Sequence, residues 1–390
     1  MRYPSVVPPR DALAVRPLVV LGFVSALLFL GAFALRVAWL PVVPGFDDAE
    51  HLRAAVAWQQ TGRLSTDGPF VRVPLWPALL GTLSHVFRPG TAVLVVQLVS
   101  VFVTLGLAIA FSRRVSAQRA LPLAAVAVPV LLFATSPQLF LYAAHAVNEL
   151  WIGMLAAVVL FLGTMRERRG IGALGAACGA AAMTKLSMGF LSVPALWFSW
   201  PGEPRRRAGR LARLGLGAAL VVVPLVVLHA VQRPGLPLDN TSAFTLGEYT
   251  PQEWLALGDP RERREAALAN FWGNLAGNPT GYARDAVHRL GRWITRPASA
   301  DFALYVPGFP KRTVGIWESS VLGILLVLAV LGTTRHTAPI WIFVAAIPLL
   351  CAFPVHVPFT PKIIPIFPCV LLAPLGLARL SALGKGEGDQ

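Results

Sequence analysis

Long apolar runs, rather than alternation of apolar and polar positions, organise this sequence. A helix needs about 20 mainly apolar residues to cross a bilayer. The run "PLVVLGFVSALLFLGAFALRVAWL" over 17–40 has that length. Further runs lie near 91–111, 120–140, 147–163, 171–200, 211–230, 316–333, 339–354 and 362–379. The 171–200 run is too long for one untilted span and carries Thr184 and Lys185 near its middle, so it reads as two short helices meeting at that break. The pattern predicts an all-α polytopic membrane protein with about ten transmembrane helices. The first run is too long and too poorly terminated for a cleaved signal peptide, and is expected to be a retained anchor.

Two longer connections interrupt the spans, over 41–90 and 231–315. In the first, "DDAEHLRAAVAWQQTG" places Leu52, Ala55, Val56 and Gln59 at helical spacing, and "VPLWPALLGTLSHVF" is apolar but short. Both suit helices lying in or dipping into an interface. In the second, "TGYARDAVHRLGRWITRP" mixes Tyr282, Leu290, Trp293 and Ile294 with Arg284, Arg289, Arg292 and Arg296, another surface-lying helix. The expected division is an N-terminal membrane module with the first loop (1–230), a large external loop (231–315) and C-terminal membrane helices with a short tail (316–390).

Composition agrees with the runs. Apolar residues make up 55% and charged residues 14%, against about a quarter charged in soluble domains, so an ordinary water-soluble enzyme is excluded. The 34 Lys and Arg outnumber 19 Asp and Glu, for a formal charge of +15. A nucleic-acid reader would gather that charge on one soluble face, but here it follows the spans. Arg2, Arg10 and Arg16 precede the first; Arg113, Arg114 and Arg119 follow the second; Arg166, Arg168 and Arg169 follow the fourth. "PGEPRRRAGRLAR" adds five arginines, and Arg335, Arg379 and Lys385 complete the set, against only Asp11, Glu167, Glu203, Glu387 and Asp389. With both termini cytoplasmic, and with 171–200 broken into two helices, all these segments fall on the cytoplasmic side, as the positive-inside rule requires. The excess is therefore topology, and no nucleic-acid partner is expected. Cys178, Cys351 and Cys369 all lie in apolar sequence without a CxxC pair, so neither a thiolate metal site nor a disulfide framework is indicated.

The polar residues left on the other face carry the candidate chemistry. Asp47 and Asp48 follow the first span. They suit a helix N-terminus, where orphan N–H groups favour negative charge, and equally a general base or a metal-binding carboxylate. Positions 47, 51 and 55 share a helical face, so Asp47 and His51 can look into one cavity. Arg72, between Phe70 and two prolines, is a snorkelling cation or a phosphate ligand. His145, Asn148 and Glu149 begin the fourth span, and a carboxylate there must face protein or water rather than hydrocarbon. Lys185 either pairs with an acid or meets an anionic substrate. His356 and Lys362 stand among five prolines before the last span, at a sharp turn or a cavity wall. Carboxylates opposite Arg and Lys at headgroup depth suit an enzyme acting on a lipid phosphate. No GxxxxGK[ST] loop or dinucleotide fingerprint is present.

In this order and on this side of the membrane, the motifs resemble those of GT-C-type membrane glycosyltransferases, and in particular the bacterial protein O-mannosyltransferase and aminoarabinose-transferase superfamily. The resemblance covers about 17–380. "FDDAEHLRAAVAWQQTGRL" is similar to the family's acidic pair and following helix, with Asp47 at the catalytic aspartate, Asp48 in place of glutamate and His51 in place of tyrosine. "RVPLWPALL" resembles the Arg-x-Pro-x-aromatic-Pro segment of the first loop, and "HAVNELW" the span start that carries a frequent glutamate, at Glu149. "GAACGAAAMTKLSMGFLSVPAL" resembles the Gly/Ala-rich double helix with Thr-Lys at its break. "VHVPFTPKIIPIFPCVLLAPLG" resembles the segment before the last span, with Val-His for the usual Arg-Tyr. The chain is expected to lack the soluble C-terminal domain of some relatives.

The resemblance implies transfer of a sugar from a polyprenyl-phosphate donor to a lipid, glycan or protein acceptor at the external face of the plasma membrane, with inversion. Asp47 would be the general base, with Asp48 or Glu149 orienting the acceptor or shaping its surroundings. His51, Arg72, His145, Lys185, His356 and Lys362 would bind substrate or phosphate. The cofactor stays open between a divalent cation (Mg or Mn, held by Asp47 and Asp48) and none. The alternatives are a polyprenyl-linked glycan ligase or polymerase, and a transporter or flippase with the same charges lining a path.

Overall fold

A computed structural model describes residues 15–39, 46–64, 70–116, 121–165, 170–200, 204–239, 251–297, 309–352 and 363–384. Every regular element among them is helical. In chain order these are α1 (Val15–Trp39), α2 (Phe46–Thr61), α3 (Leu75–Leu83), α4 (Pro89–Ser116), α5 (Leu123–Ala134), α6 (Pro137–Tyr142), α7 (Glu149–Thr164) and α8 (Gly170–Thr184). A 3-10 turn (Leu186–Leu191) leads into α9 (Ser192–Ser199) and α10 (Pro204–Gln232). There follow α11 (Pro251–Ala256), α12 (Pro260–Gly277), α13 (Pro279–Thr295), α14 (Lys311–Gly332), α15 (Ile340–Ala352) and α16 (Ile366–Gly384).

Six of these segments are long and apolar enough to cross a membrane: α1, α4, α5 with α6, α10, α14 and α16. The chain is thus an all-α, multi-span membrane protein. The expected count of about ten is not reached on length. The other four apolar segments, Glu149–Thr164, Gly170–Thr184, Leu186–Ser199 and Ile340–Leu350, are shorter. At 1.5 Å per residue the 16 residues of α7 rise about 24 Å, less than the roughly 30 Å hydrocarbon core. Burial explains how α7 does without that length. In α7, Leu150, Ile152, Ala156, Ala157, Val159 and Leu160 are all fully buried, so this helix sits inside the bundle among α4, α8 and α16. By contrast α1 exposes Val19, Val20 and Phe23, and α10 exposes Leu220 and Val227, apolar surface suited to lipid.

Helix association inside lipid gains nothing from hiding apolar area, so it relies on close packing by small residues. The two most extensive pairings, α8 with α10 and α14 with α16, follow that rule. Gly175 lies against the backbone of Leu214 and Ala218, and Gly217 against the Gly172 carbonyl. Gly332 and Gly376 seat α14 on α16 in the same way. A β-carbon at any of these positions would collide with main chain.

The 171–200 run divides where the sequence indicates. α8 ends at Thr184, Lys185 is extended (φ −155, ψ 115), and the 3-10 turn starts at Leu186. The short helices expected in the first loop are α2 and α3, packed on each other and on α4. Gly62, at φ 63, ends α2 with its N–H on the Trp58 carbonyl, a left-handed terminus that glycine adopts without strain. The surface helix expected near 280–297 is α13, which buries Tyr282 and Trp293, packs on α15 and leaves Arg284 and Arg292 exposed.

Candidate active site

Between α6 and α7 the backbone of residues 143–148 is irregular. Inside a membrane bundle, non-helical backbone must find partners within the protein. Here the partners are side chains from three other elements. The Ala146 N–H donates to Asp48 Oδ1 at 2.6 Å, and the Ala146 carbonyl accepts from Trp76 Nε1 at 3.0 Å. Gln97 Nε2 donates to the carbonyls of His145 (2.9 Å) and Val147 (2.6 Å). The His145 N–H returns to the Tyr142 carbonyl at 2.9 Å. Helices α2, α3 and α4 therefore hold this turn in one conformation.

His145 is engaged at both ring nitrogens. Nδ1 lies 2.6 Å from Asp48 Oδ2, and Nε2 lies 3.4 Å from Arg36 Nη2. A guanidinium can only donate, so Nε2 is the acceptor and Nδ1–H points at the carboxylate. The result is a buried Arg36–His145–Asp48 chain that joins α1, the α6–α7 turn and α2. Asp48 is spent on this turn with both oxygens.

One residue further on, the first residue of α7 forms a second charged contact. Glu149 Oε1 lies 3.5 Å from Lys185 Nζ, and Asn148 Nδ2 donates to the Thr184 carbonyl at 3.4 Å. Glu149 sits at a helix N-terminus, where the dipole favours its charge. Its side chain is 6% exposed, whereas that of Lys185 is 34% exposed. The ammonium thus touches a buried acid yet keeps donors for another partner. Of the two readings of Lys185, pairing with an acid is present, and its remaining exposure leaves room for an anion.

The other candidates fall around these pairs. His51 is buried, with its ring edge-on to Trp76 at 6.4 Å between centroids. It therefore borders the same indole that holds Ala146. Neighbouring Glu50 accepts from Arg53 at 2.6 Å. Arg72 lies over the Phe70 ring at 5.2 Å, and Phe70 stacks on Trp254 of α11 at 6.2 Å. The Arg72 carbonyl accepts from Arg233 Nη1 at 3.1 Å, and Gln232 bonds to Leu64 N and Gly62 O at 2.7 and 3.1 Å. The end of α10 and the second loop thus pin the first loop. Burial pulls the Arg233 guanidinium down to about 10. Asp47 belongs to α2, but its side chain lies outside the described residues, as do His356 and Lys362 altogether. Among the described residues no three His, Cys, Asp or Glu side chains converge as metal ligands.

The structure therefore brings together Asp48 with His145 and Glu149 with Lys185, on adjoining stretches of chain. Three buried polar groups escape sequence reasoning, of which Arg36 and Gln97 touch the turn before α7. Arg36 is a lone cation near the end of the first run. Gln97 is a lone amide in the second. Glu318 of α14, 1% exposed, accepts from Gln138 of α6 at 3.1 Å. The signal that singles out Glu149, one polar group in an apolar run, marks all three.

No protein-family model matches the sequence, and no curated protein matches it. Among solved structures, ArnT from Cupriavidus metallidurans bound to undecaprenyl phosphate aligns with a TM-score of 0.56 at 16% identity, over 96% of this chain and 62% of that one. The fold is shared with ArnT. The same ArnT in the apo state aligns at a TM-score of 0.43 and 14% identity, over 94% of this chain and 78% of that one. At 16% identity the likeness is one of fold, and this chain spans 62% of the length of the lipid-bound ArnT chain.

Proposed function

We propose that this chain is a membrane glycosyltransferase that moves a sugar from a polyprenyl-phosphate donor to a hydroxyl of a lipid, glycan or protein. In this reading the acceptor oxygen attacks the anomeric carbon, the bond from that carbon to the phosphate oxygen breaks, and the configuration inverts. The acceptor proton passes to Asp47. The departing polyprenyl phosphate gains one negative charge as it leaves. Lys185 and Arg72, with Lys362, would offset that charge by charge-assisted hydrogen bonds. Asp48, His145 and Arg36 would position α2 against the α6–α7 turn, and so set where Asp47 stands. A divalent ion at Asp47 and Asp48 is not required by any of these steps. The reaction would lie on the external side of the plasma membrane, with both termini cytoplasmic and the four short apolar helices completing about ten crossings within the bundle.

The observation that carries this reading is the Asp48–His145 and Glu149–Lys185 contacts on adjoining segments. It is supported by a fold shared with a protein crystallised with undecaprenyl phosphate. The test is transfer from a labelled polyprenyl-phosphate sugar in membranes. Asp47→Asn is expected to abolish product while the protein reaches the membrane at its normal level, and full activity in that variant would sink the role of Asp47. A flippase or transporter would instead move the labelled lipid across vesicles with no covalent product. A ligase or polymerase would transfer a preassembled glycan, and mass spectrometry of surface glycans with and without the chain separates it from single-sugar transfer.

A further inference from the structure

We propose that the furrow between α8 and α10 binds an anionic glycerophospholipid, with its phosphate on the arginine face of α10. The small residues that let the two helices touch leave an open cleft of about 580 Å³ beside the contact. It is lined by Gly172, Ala173, Ala176, Leu216, Gly217 and Leu220, together with Arg213. That volume falls within the ~300–1,000 Å³ range of ligand clefts. Two of these lining residues, Leu216 and Leu220, are exposed, so an acyl chain can enter sideways from the bilayer.

The arginines are not scattered. Arg206, Arg210 and Arg213 are spaced i, i+4 and i+7, and Gly217 and Leu220 continue the same face at i+11 and i+14. One side of α10 therefore passes from a cationic stripe to an apolar furrow, the order in which a phospholipid presents its phosphate and its chain. Positive-inside topology accounts for the number of arginines at this end. It does not account for three of them sharing the face that lines the furrow. Basic pockets between membrane helices are a general mode of anionic-lipid recognition.

The full-length protein, purified in mild detergent and exposed to phosphatidylglycerol or phosphatidylcholine, tests the proposal. Native mass spectrometry would count bound lipid, and thermal unfolding would report stabilisation. Phosphatidylglycerol is expected to be retained at least about fivefold over phosphatidylcholine and to raise the unfolding midpoint. The triple change Arg206→Gln, Arg210→Gln and Arg213→Gln should remove the preference. Ala176→Phe, which fills the furrow beside the glycine contact, should remove retention of phosphatidylglycerol in a protein that still unfolds cooperatively. Equal retention of both lipids, a preference that survives both variants, or the same stabilisation by inorganic phosphate would overturn it. No step reads sugar transfer, so the outcome is independent of the proposed activity.

Discussion

Asp48 stands next to the residue proposed as the base, yet its own oxygens hold the His145 ring and the Ala146 amide. Its removal therefore has a structural signature. Asp48→Ala strands two donors in a buried site, and each buried donor left without a partner costs about 1–3 kcal/mol. Asp48→Asn keeps one acceptor and should cost less. Thermal unfolding of the two variants in detergent checks the ranking, and a double-mutant cycle with His145→Ala should show a coupling of about 0.5–3 kcal/mol. Additive effects would mean that the 2.6 Å contact contributes nothing. For Glu149, Lys185→Ala removes the cation from a buried carboxylate, whereas Lys185→Arg keeps the charge. Expression and unfolding should fall for the first and hold for the second. Helical spacing made α2 itself legible, and the helix runs from Phe46 to Thr61. No local pattern joins position 48 to position 145, because the chain between two residues 97 positions apart decides whether they meet.

At the scale of helices, the α8–α10 contact rests on glycine. Gly175→Leu drives a side chain into the Leu214 backbone. Overpacking typically costs about 1–3 kcal/mol, and with backbone on the other side the effect should reach the upper end, read as a lower unfolding midpoint. Helix α12 offers a pH test away from the spans. Its N-cap Asp259 accepts from the amides of Glu262 (3.0 Å) and Arg261 (2.7 Å), and Glu262 Oε2 accepts from the Asp259 N–H. These amides, Glu262 first, hold the Asp259 carboxyl below its usual value. The folded value is the lower one, so the cap's contribution is complete above the unfolded value of about 3.9 and is lost as pH falls through the folded value. Protection from hydrogen exchange at residues 261–263, taken relative to the intrinsic rate at each pH, should fall in acid, and Asp259→Asn should remove that acid limb. The break at Lys185 was legible in advance because a lysine inside an apolar run disfavours continuous burial. That α7 is central rather than peripheral was not legible, since a helix apolar all round reads alike against lipid and against protein.

For the whole molecule, the testable quantity is orientation. Gly209 lies in the exposed arginine block and Ala269 on an exposed face of α12. A cysteine introduced by Gly209→Cys should react with an impermeant thiol reagent only after cells are permeabilised, and one introduced by Ala269→Cys in intact cells. The reverse pattern would overturn the orientation and place the Asp48–His145 end inside. The all-α membrane class and the six long spans could be read from the sequence because hydropathy is a sum over local composition and needs no partner, whereas the four shorter apolar runs fall below spanning length. The candidate motifs could be read as residue types for the same reason. Only the tertiary structure decided which polar groups meet: Arg36 with His145, Asp48 with the turn before α7, Glu149 with Lys185, and Glu318 with Gln138. In a hydrocarbon surrounding each such group must find a partner within the protein, but composition states only that the partner exists. Helix packing, set by glycine contacts and crossing geometry, chooses which one it is.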